Sequence, residues 1–205
     1  LEPLPDIDFN IRAGNTLVGY TTLAQVEKSL APKLGKNASS LRLVDDEDEA
    51  LLAQIQEKAE IVDRKFKQFR LQQTQLGGAV SGDDKAGVRD ALAILTDELN
   101  KYLAADYGVD TTKPRKYQQW LQSHQPFHWF AEFYGIMADG GFDVIIGNPP
   151  YISSAKVRRE YDVSGYATAG CSDIYAWCLE RVSQLGSGRV RTGMIVPLSL
   201  TFSGD

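Results

Sequence analysis

An α/β fold carrying a long helical insertion is what this sequence predicts, and three features carry that reading. Strand-length apolar runs stand at Phe142–Gly147 and within Val190–Leu200. A helical pattern lies between them, and strand, helix, strand in that order makes a βαβ unit. Two long amphipathic stripes fill the middle of the chain, upstream of that unit.

The first region is residues 1–23. A Pro-rich entry, Leu4-Pro5-Asp6, leads into Phe9-Asn10-Ile11-Arg12-Ala13, where apolar and polar residues alternate. Gly14-Asn15-Thr16 follows, so the spacing predicts a strand that stops in a turn.

Residues 24–139 read as mostly helical. Leu52, Ile55, Ala59, Val62, Phe66 and Phe69 recur at spacings of three and four, the apolar face of one helix. The acidic run Asp45–Glu49 sits at its start, where carboxylates suit the positive end of a helix dipole. Gly77-Gly78 and Ser81-Gly82 interrupt the pattern, and a second stripe follows at Val88, Leu92, Leu95, Leu99 and Leu103. Two such helices around a Gly-rich loop predict an antiparallel hairpin. A third helix is expected through Lys116–Trp120, and Pro126 is expected to start a fourth through Phe127, Trp129, Phe130 and Phe133.

Residues 140–205 change period. After Gly140-Gly141, the run Phe142-Asp143-Val144-Ile145-Ile146-Gly147 is nearly continuous in apolar residues, as in a buried parallel strand. Ser172-Asp173 is expected to cap a helix through Ala176, Leu179 and Val182 that ends at Gly186. Gly193-Met194-Ile195-Val196-Pro197 is the apolar heart of the second strand.

Composition narrows the class. The 205 residues are 43% hydrophobic, enough to pack a core, and this excludes global disorder. With 27 acids against 22 bases and a net charge of -5, the chain is no wholly basic nucleic-acid binder, though a local basic groove remains open. No apolar run approaches the roughly 20 residues that cross a bilayer, so no membrane partner is expected. Two cysteines, Cys171 and Cys178, make no disulfide framework and point to a reducing cytoplasm. Beginning at Leu1 and ending just after an apolar run, the chain is expected to be a piece of a larger protein.

The chemistry concentrates in Asn148-Pro149-Pro150-Tyr151, directly after the first strand of the βαβ unit. In open parallel sheets ligands bind at the carboxyl ends of strands. Two prolines stiffen the turn and remove two N–H donors. What remains are acceptors, the Asn148 side-chain oxygen and the Pro149 carbonyl, beside the ring of Tyr151. Such a corner suits a planar group bearing an NH₂: the acceptors grip both hydrogens while the ring stacks. Held out of plane, the amine directs its lone pair at an electrophile already carrying positive charge, such as a sulfonium methyl.

This tetrapeptide resembles the catalytic motif of amino-group methyltransferases that use S-adenosylmethionine. Together with Pro126-Phe127-His128-Trp129-Phe130 and Gly140–Gly147, it is similar to the adenine-N6 DNA methyltransferases of large restriction–modification and related phage-defence proteins. Phe9–Leu17, Asp173-Ile174-Tyr175 and Met194-Ile195-Val196-Pro197 resemble further segments of that family. The resemblance implies a partial Rossmann-like S-adenosylmethionine-dependent methyltransferase fold interrupted by the helical hairpin. It also implies double-stranded DNA as substrate and a flipped adenine.

By this resemblance, Asn148 and Pro149 bind the amine, Pro150 stiffens the turn and Tyr151 stacks. Asp173 and Tyr175 fall near the cofactor. Asn15 falls near the target base, where many relatives carry an acid, and Phe202 is a second stacking ring. Lys156, Arg158 and Arg159 follow the turn, where they would touch backbone phosphates, and a solvated helix start explains them nearly as well.

The family's Gly-rich cofactor loop and ribose-holding acid are expected before residue 1. Gly186-Ser187-Gly188 is no substitute, because it follows a helix and precedes a strand. The same holds for the sheet's first two strands, which in the family lie between those near Ile11 and Ile145. The chain alone is therefore expected to be inactive, to need the remaining domains of its parent, and to self-associate through exposed sheet edges.

Competing readings are weaker. His124 and His128 are four apart, but Pro126 between them spoils a helical metal pair, and no metal is expected. Cys171 and Cys178 lack the preceding proline found in cytosine-C5 methyltransferases. Asp63-Arg64-Lys65 looks superficially like a nuclease pair but lies on a patterned helix. Two alternatives stay open: an amino-group methyltransferase acting on protein glutamine or an RNA base, and a non-catalytic DNA-binding module.

Overall fold

The computed structural model describes residues 9–30, 46–75, 82–161, 163 and 165–197. The two stripes form α2 (Asp46–Gln75) and α3 (Gly82–Asp106). Lys58 pairs with Glu98, and Phe69 packs with Val88, so the two helices run antiparallel. Ile55, Ala59, Leu95 and Leu99 have no exposed surface, and Val62, Phe69, Val88, Leu92 and Leu103 are also buried. Each large side chain so buried contributes about 1.5–3 kcal/mol, which makes this seam the main stabilising layer of the helical part. Gly77, Gly78 and Ser81 lie outside the described residues.

Before the hairpin, α1 (Leu23–Leu30) is capped reciprocally: Gln25 N–H donates to Thr22 Oγ1, and Thr21 N–H donates to Gln25 Oε1. After it, α4 (Pro114–His124) starts with proline in its first turn and stops where Gln125 turns left-handed at φ 44. The expected helix from Pro126 begins later. Residues 126–128 are extended, then come α5 (Trp129–Glu132) and α6 (Tyr134–Ala138).

Extension at Pro126 has a partner. Residues 15–20 run alongside 125–130: Asn15 N–H donates to Gln125 C=O, Phe127 N–H to Val18 C=O and Phe130 N–H to Tyr20 C=O, at 2.8, 2.7 and 3.2 Å. Gly19 makes this approach possible, since it sits at φ 140 and a Cβ there would lie 2.1 Å from the Phe127 carbonyl oxygen. The strand expected over Phe9–Ala13 does not form. Phe9 is instead buried edge-on against Phe66 and Phe69, Arg12 pairs with Glu132 at 3.0 Å, and Ile11 is exposed. Tertiary contacts with the hairpin thus overrode a local alternation.

The βαβ unit is present as β1 (Phe142–Gly147), α7 (Ser154–Val157), a 3₁₀ turn at Ala167–Gly170, α8 (Tyr175–Leu185) and β2 (Gly186–Met194). β1 and β2 pair in parallel, with Val144 opposite Arg191 and Gly147 opposite Met194. Gly141, at φ 102, lets the entry to β1 pass the end of α8, where a Cβ would lie 2.4 Å from the Leu185 carbonyl oxygen. The chain is thus a mixed helix–strand fold with a small parallel sheet.

Three expectations change here. β1 is apolar but not buried: Val144 is 61% and Ile146 80% exposed, because among the described residues the sheet has two strands and nothing covers that face. The second strand starts earlier, at Gly186, and ends at Met194, before Ile195-Val196-Pro197. Finally, no side chain caps α8. Asp173 instead forms a backbone bridge with Ser153, and Ile174 takes the cap position.

Leu17 and Val18 mark the seam of the molecule. Val18 and Tyr20 enter the helical core with Ile55, Leu99, Trp120 and Phe130. Leu17 enters a second core with Val157, Val163, Tyr166, Ile174 and Trp177, which supports the loop after β1.

Candidate functional site

Asn148 begins where β1 ends, at the carboxyl edge of both parallel strands. The Gly147 carbonyl accepts the N–H of Ile195 at 3.0 Å, so the chain leaving β2 stays beside the chain leaving β1. Tyr151 closes this arrangement by donating its hydroxyl to the Ile195 carbonyl at 2.9 Å. Tyr151 as a whole remains 53% exposed. Asn148 and Pro150 are exposed, whereas Pro149 is buried.

A second clamp lies just downstream. Ser154 N–H donates to Ser172 C=O at 2.7 Å and Ile174 N–H to Ile152 C=O at 3.1 Å, around the Ser153–Asp173 bridge. The segment preceding α8 is therefore fastened to the segment following the Asn-Pro-Pro-Tyr turn. Behind it, Glu180 accepts from Ala167 N–H, Thr168 N–H and the Thr168 hydroxyl, and Trp177 donates to Thr168 C=O. The turn thus projects from a braced loop cluster rather than from a free tip.

The sequence-predicted residues divide by position. Asn148–Tyr151 form one continuous corner. Asp173 and Tyr175, both half-buried, flank the start of α8 on the clamped segment. Asp173 accepts the Ser172 hydroxyl at 3.1 Å. Asn15 is engaged elsewhere: its side-chain oxygen accepts Leu17 N–H, its backbone joins Gln125 and Pro126, and Tyr161 lies beside its carboxamide. Phe202 lies outside the described residues. All three cations after the turn are exposed, and Arg158 in addition donates to Ala169 C=O and stacks over Trp177 at 5.5 Å.

Both histidines serve the fold. His128 is buried; its Nδ1 accepts Tyr20 N–H, so the proton sits on Nε2 and is donated to Asn100 Oδ1 at 3.0 Å. Burial, reinforced by the nearby Arg181 charge, pushes its pKa down to about 3. His124 contacts Ser123 and Trp120 C=O. Among the described residues no group of three or more His, Cys, Asp or Glu could hold a metal, and no helix is long and apolar enough to cross a membrane. Cys178 is half-buried, and burial raises its thiol to about 11.

Sequence reasoning missed the Ile195 carbonyl and the main chain of Ser172–Ile174, because backbone acceptors leave no signature in residue identity. It also missed Arg181, 4% exposed, whose Nη2 donates to the carbonyls of Leu17 and Gly19. An arginine within an apolar helical stripe was the available signal.

Comparison with known proteins adds to this geometry. The chain is 25% identical over 222 aligned residues to a Methanocaldococcus jannaschii protein named as a type II restriction enzyme and methyltransferase. That alignment takes in 96% of this chain and 19% of the relative, so the chain spans about a fifth of its relative's length. No solved structure matches. The model of the Eco57I restriction-modification methylases matches residues 91–205, more than half of the sequence and all of the βαβ unit with its turn. The chain belongs to the Eco57I restriction-modification methylase family.

Proposed function

We propose that this chain carries the catalytic corner of a restriction–modification DNA methyltransferase that moves a methyl group from S-adenosylmethionine to adenine N6. In this reading residues 1–23 and 140–205 belong to one Rossmann-like core, and 24–139 is a helical insertion into it. The observation that carries the reading is the Asn148–Tyr151 corner at the carboxyl ends of β1 and β2. Its polar tip is exposed, and its tyrosine is exposed yet anchored at the hydroxyl.

Asn148 Oδ1 and the Pro149 carbonyl accept the two hydrogens of the exocyclic amine. Tyr151 offers its ring face to the base, which must leave the duplex to arrive there. Gripping the hydrogens keeps the amine lone pair directed out of the ring plane. Bound S-adenosylmethionine would supply the methyl group and leave as its thioether, and the nitrogen would pass its surplus proton to water. Positioning of this kind needs no tuned general base. Exposed Lys156, Arg158 and Arg159, just after the turn, would meet phosphates beside the flipped base.

For the donor, the described residues supply Asp173 and Tyr175 beside the corner but no Gly-rich strand-to-helix turn. Gly186-Ser187-Gly188 opens β2 after α8, in the wrong order to cradle a cofactor. The described residues alone therefore do not fit S-adenosylmethionine, and the chain acts with further parts of its parent.

The test offers labelled S-adenosylmethionine and, separately, duplex DNA, RNA and protein to the full-length parent. Label recovered in DNA as 6-methyladenine supports the reading. Label in RNA or protein moves the chain to another amino-group methyltransferase, and no label anywhere makes it a binding module.

A further inference from the structure

A second site candidate lies away from the Asn-Pro-Pro-Tyr corner. A cavity of about 430 Å³ opens between the Leu17–Tyr20 segment, α1, the end of α3 and α8. Its chemistry-bearing walls are Arg181, Lys28, Asp106, Tyr107 and Tyr166. Pockets of this size hold a small organic molecule rather than a lone ion.

Arg181 is the unusual member. It is 4% exposed, and its bonds run to neutral acceptors: Leu17 C=O, Gly19 C=O and Gln184 Oε1. Its Nε is buried with no hydrogen-bond partner. Its guanidinium stacks over Tyr166 at 5.2 Å, and among the described residues no carboxylate is hydrogen-bonded to it, the neighbouring Glu180 acting on it only through space. A buried cation normally needs a counter-charge to offset its lost hydration. The cavity's acid, Asp106, already accepts from the Ser29 and Tyr20 hydroxyls. Lys28, on the outer face of α1, adds a second cation at the rim.

We propose that this cavity binds an aromatic phosphate, its oxyanion neutralising Arg181 and Lys28 and its ring lying between Tyr107 and Tyr166. Arg181 in this account both ties α8 to the Leu17–Gly19 segment and presents charge to the ligand. The site is independent of methyl transfer.

Phenyl phosphate is the probe, titrated into the full chain during thermal melts with ionic strength held constant by KCl. A saturable rise in Tm is expected, because ligands that bind only the folded state stabilise it. Phenol gives none. Lys28→Glu, on the exposed rim and harmless to the core, weakens the response several-fold, whereas Asn148→Ala leaves it intact. Four results would overturn the proposal: no rise beyond the KCl control, an equal rise with phenol, an undiminished response in Lys28→Glu, or loss of response in Asn148→Ala.

Discussion

Arg181 Nη2 lies 3.0 Å from the carbonyl oxygen of Leu17, a contact that spans 164 positions of sequence. The Tyr166 hydroxyl donates to the same oxygen at 2.9 Å. One backbone carbonyl therefore gathers α8, the loop before it and the amino-terminal segment. Replacing Arg181 by alanine strips Gly19 of this donor, halves the donors at Leu17 and leaves a gap over Tyr166. The expected loss is about 3 kcal/mol, read from the urea midpoint. Arg181→Lys recovers little of it, because an ammonium cannot span the same acceptors.

Gly19 is the second sensitive point on that segment. An alanine there meets both a disfavoured φ and a carbonyl 2.1 Å from its Cβ. Gly19→Ala is expected to separate residues 15–20 from 125–130 and to cost at least about 3 kcal/mol. Faster amide exchange at Phe127 and Phe130, measured beside a milder change at Gly108→Ala, checks the assignment to this contact.

His128 makes the fold acid-sensitive. Its folded pKa lies near 3, whereas the unfolded imidazole titrates near 6.5. Below 6.5 the unfolded chain takes up a proton that the folded chain refuses. Stability is therefore complete above that pH and declines as pH falls toward 3, by about 1.4 kcal/mol per pH unit. Urea titrations between pH 7.5 and 4.5 should show this slope, and His128→Gln should flatten it.

The exposed face of β1 predicts association. Val144 and Ile146 stand two residues apart on one face, and Ile195 is 64% exposed just past the end of β2. Edge strands with apolar faces recruit partners. The isolated chain is expected to self-associate at micromolar concentration by light scattering, and Ile146→Lys is expected to shift it toward monomer.

How much of this was legible depended on the range of the forces involved. The stripes from Leu52 to Phe69 and from Val88 to Leu103 are local patterns; the second is buried throughout and the first is buried except for half-buried Leu52 and Phe66. The βαβ order was equally visible, since strand and helix periods differ within a few residues. Phe9–Ala13 misled because its alternation had no strand to pair with, and Phe66 and Phe69 offered its aromatic a better home. Val144 and Ile146 misled for the opposite reason: apolar identity reports what a strand can bury, not what is present to cover it. At the candidate site, Asn148 and Tyr151 were readable as side chains. The Ile195 carbonyl that anchors Tyr151 was not, because its acceptor belongs to the backbone.

The most direct measurement is methylation of duplex DNA by the full-length parent carrying Asn148→Ala, compared with the unaltered protein and with Tyr151→Phe. Loss of one of two amine acceptors should lower the rate of 6-methyladenine formation by about 100-fold or more. Tyr151→Phe, which keeps the ring and loses the Ile195 tie, should retain most of the activity. Full activity in Asn148→Ala would contradict the account, since the amine would then be held as well by the Pro149 carbonyl alone.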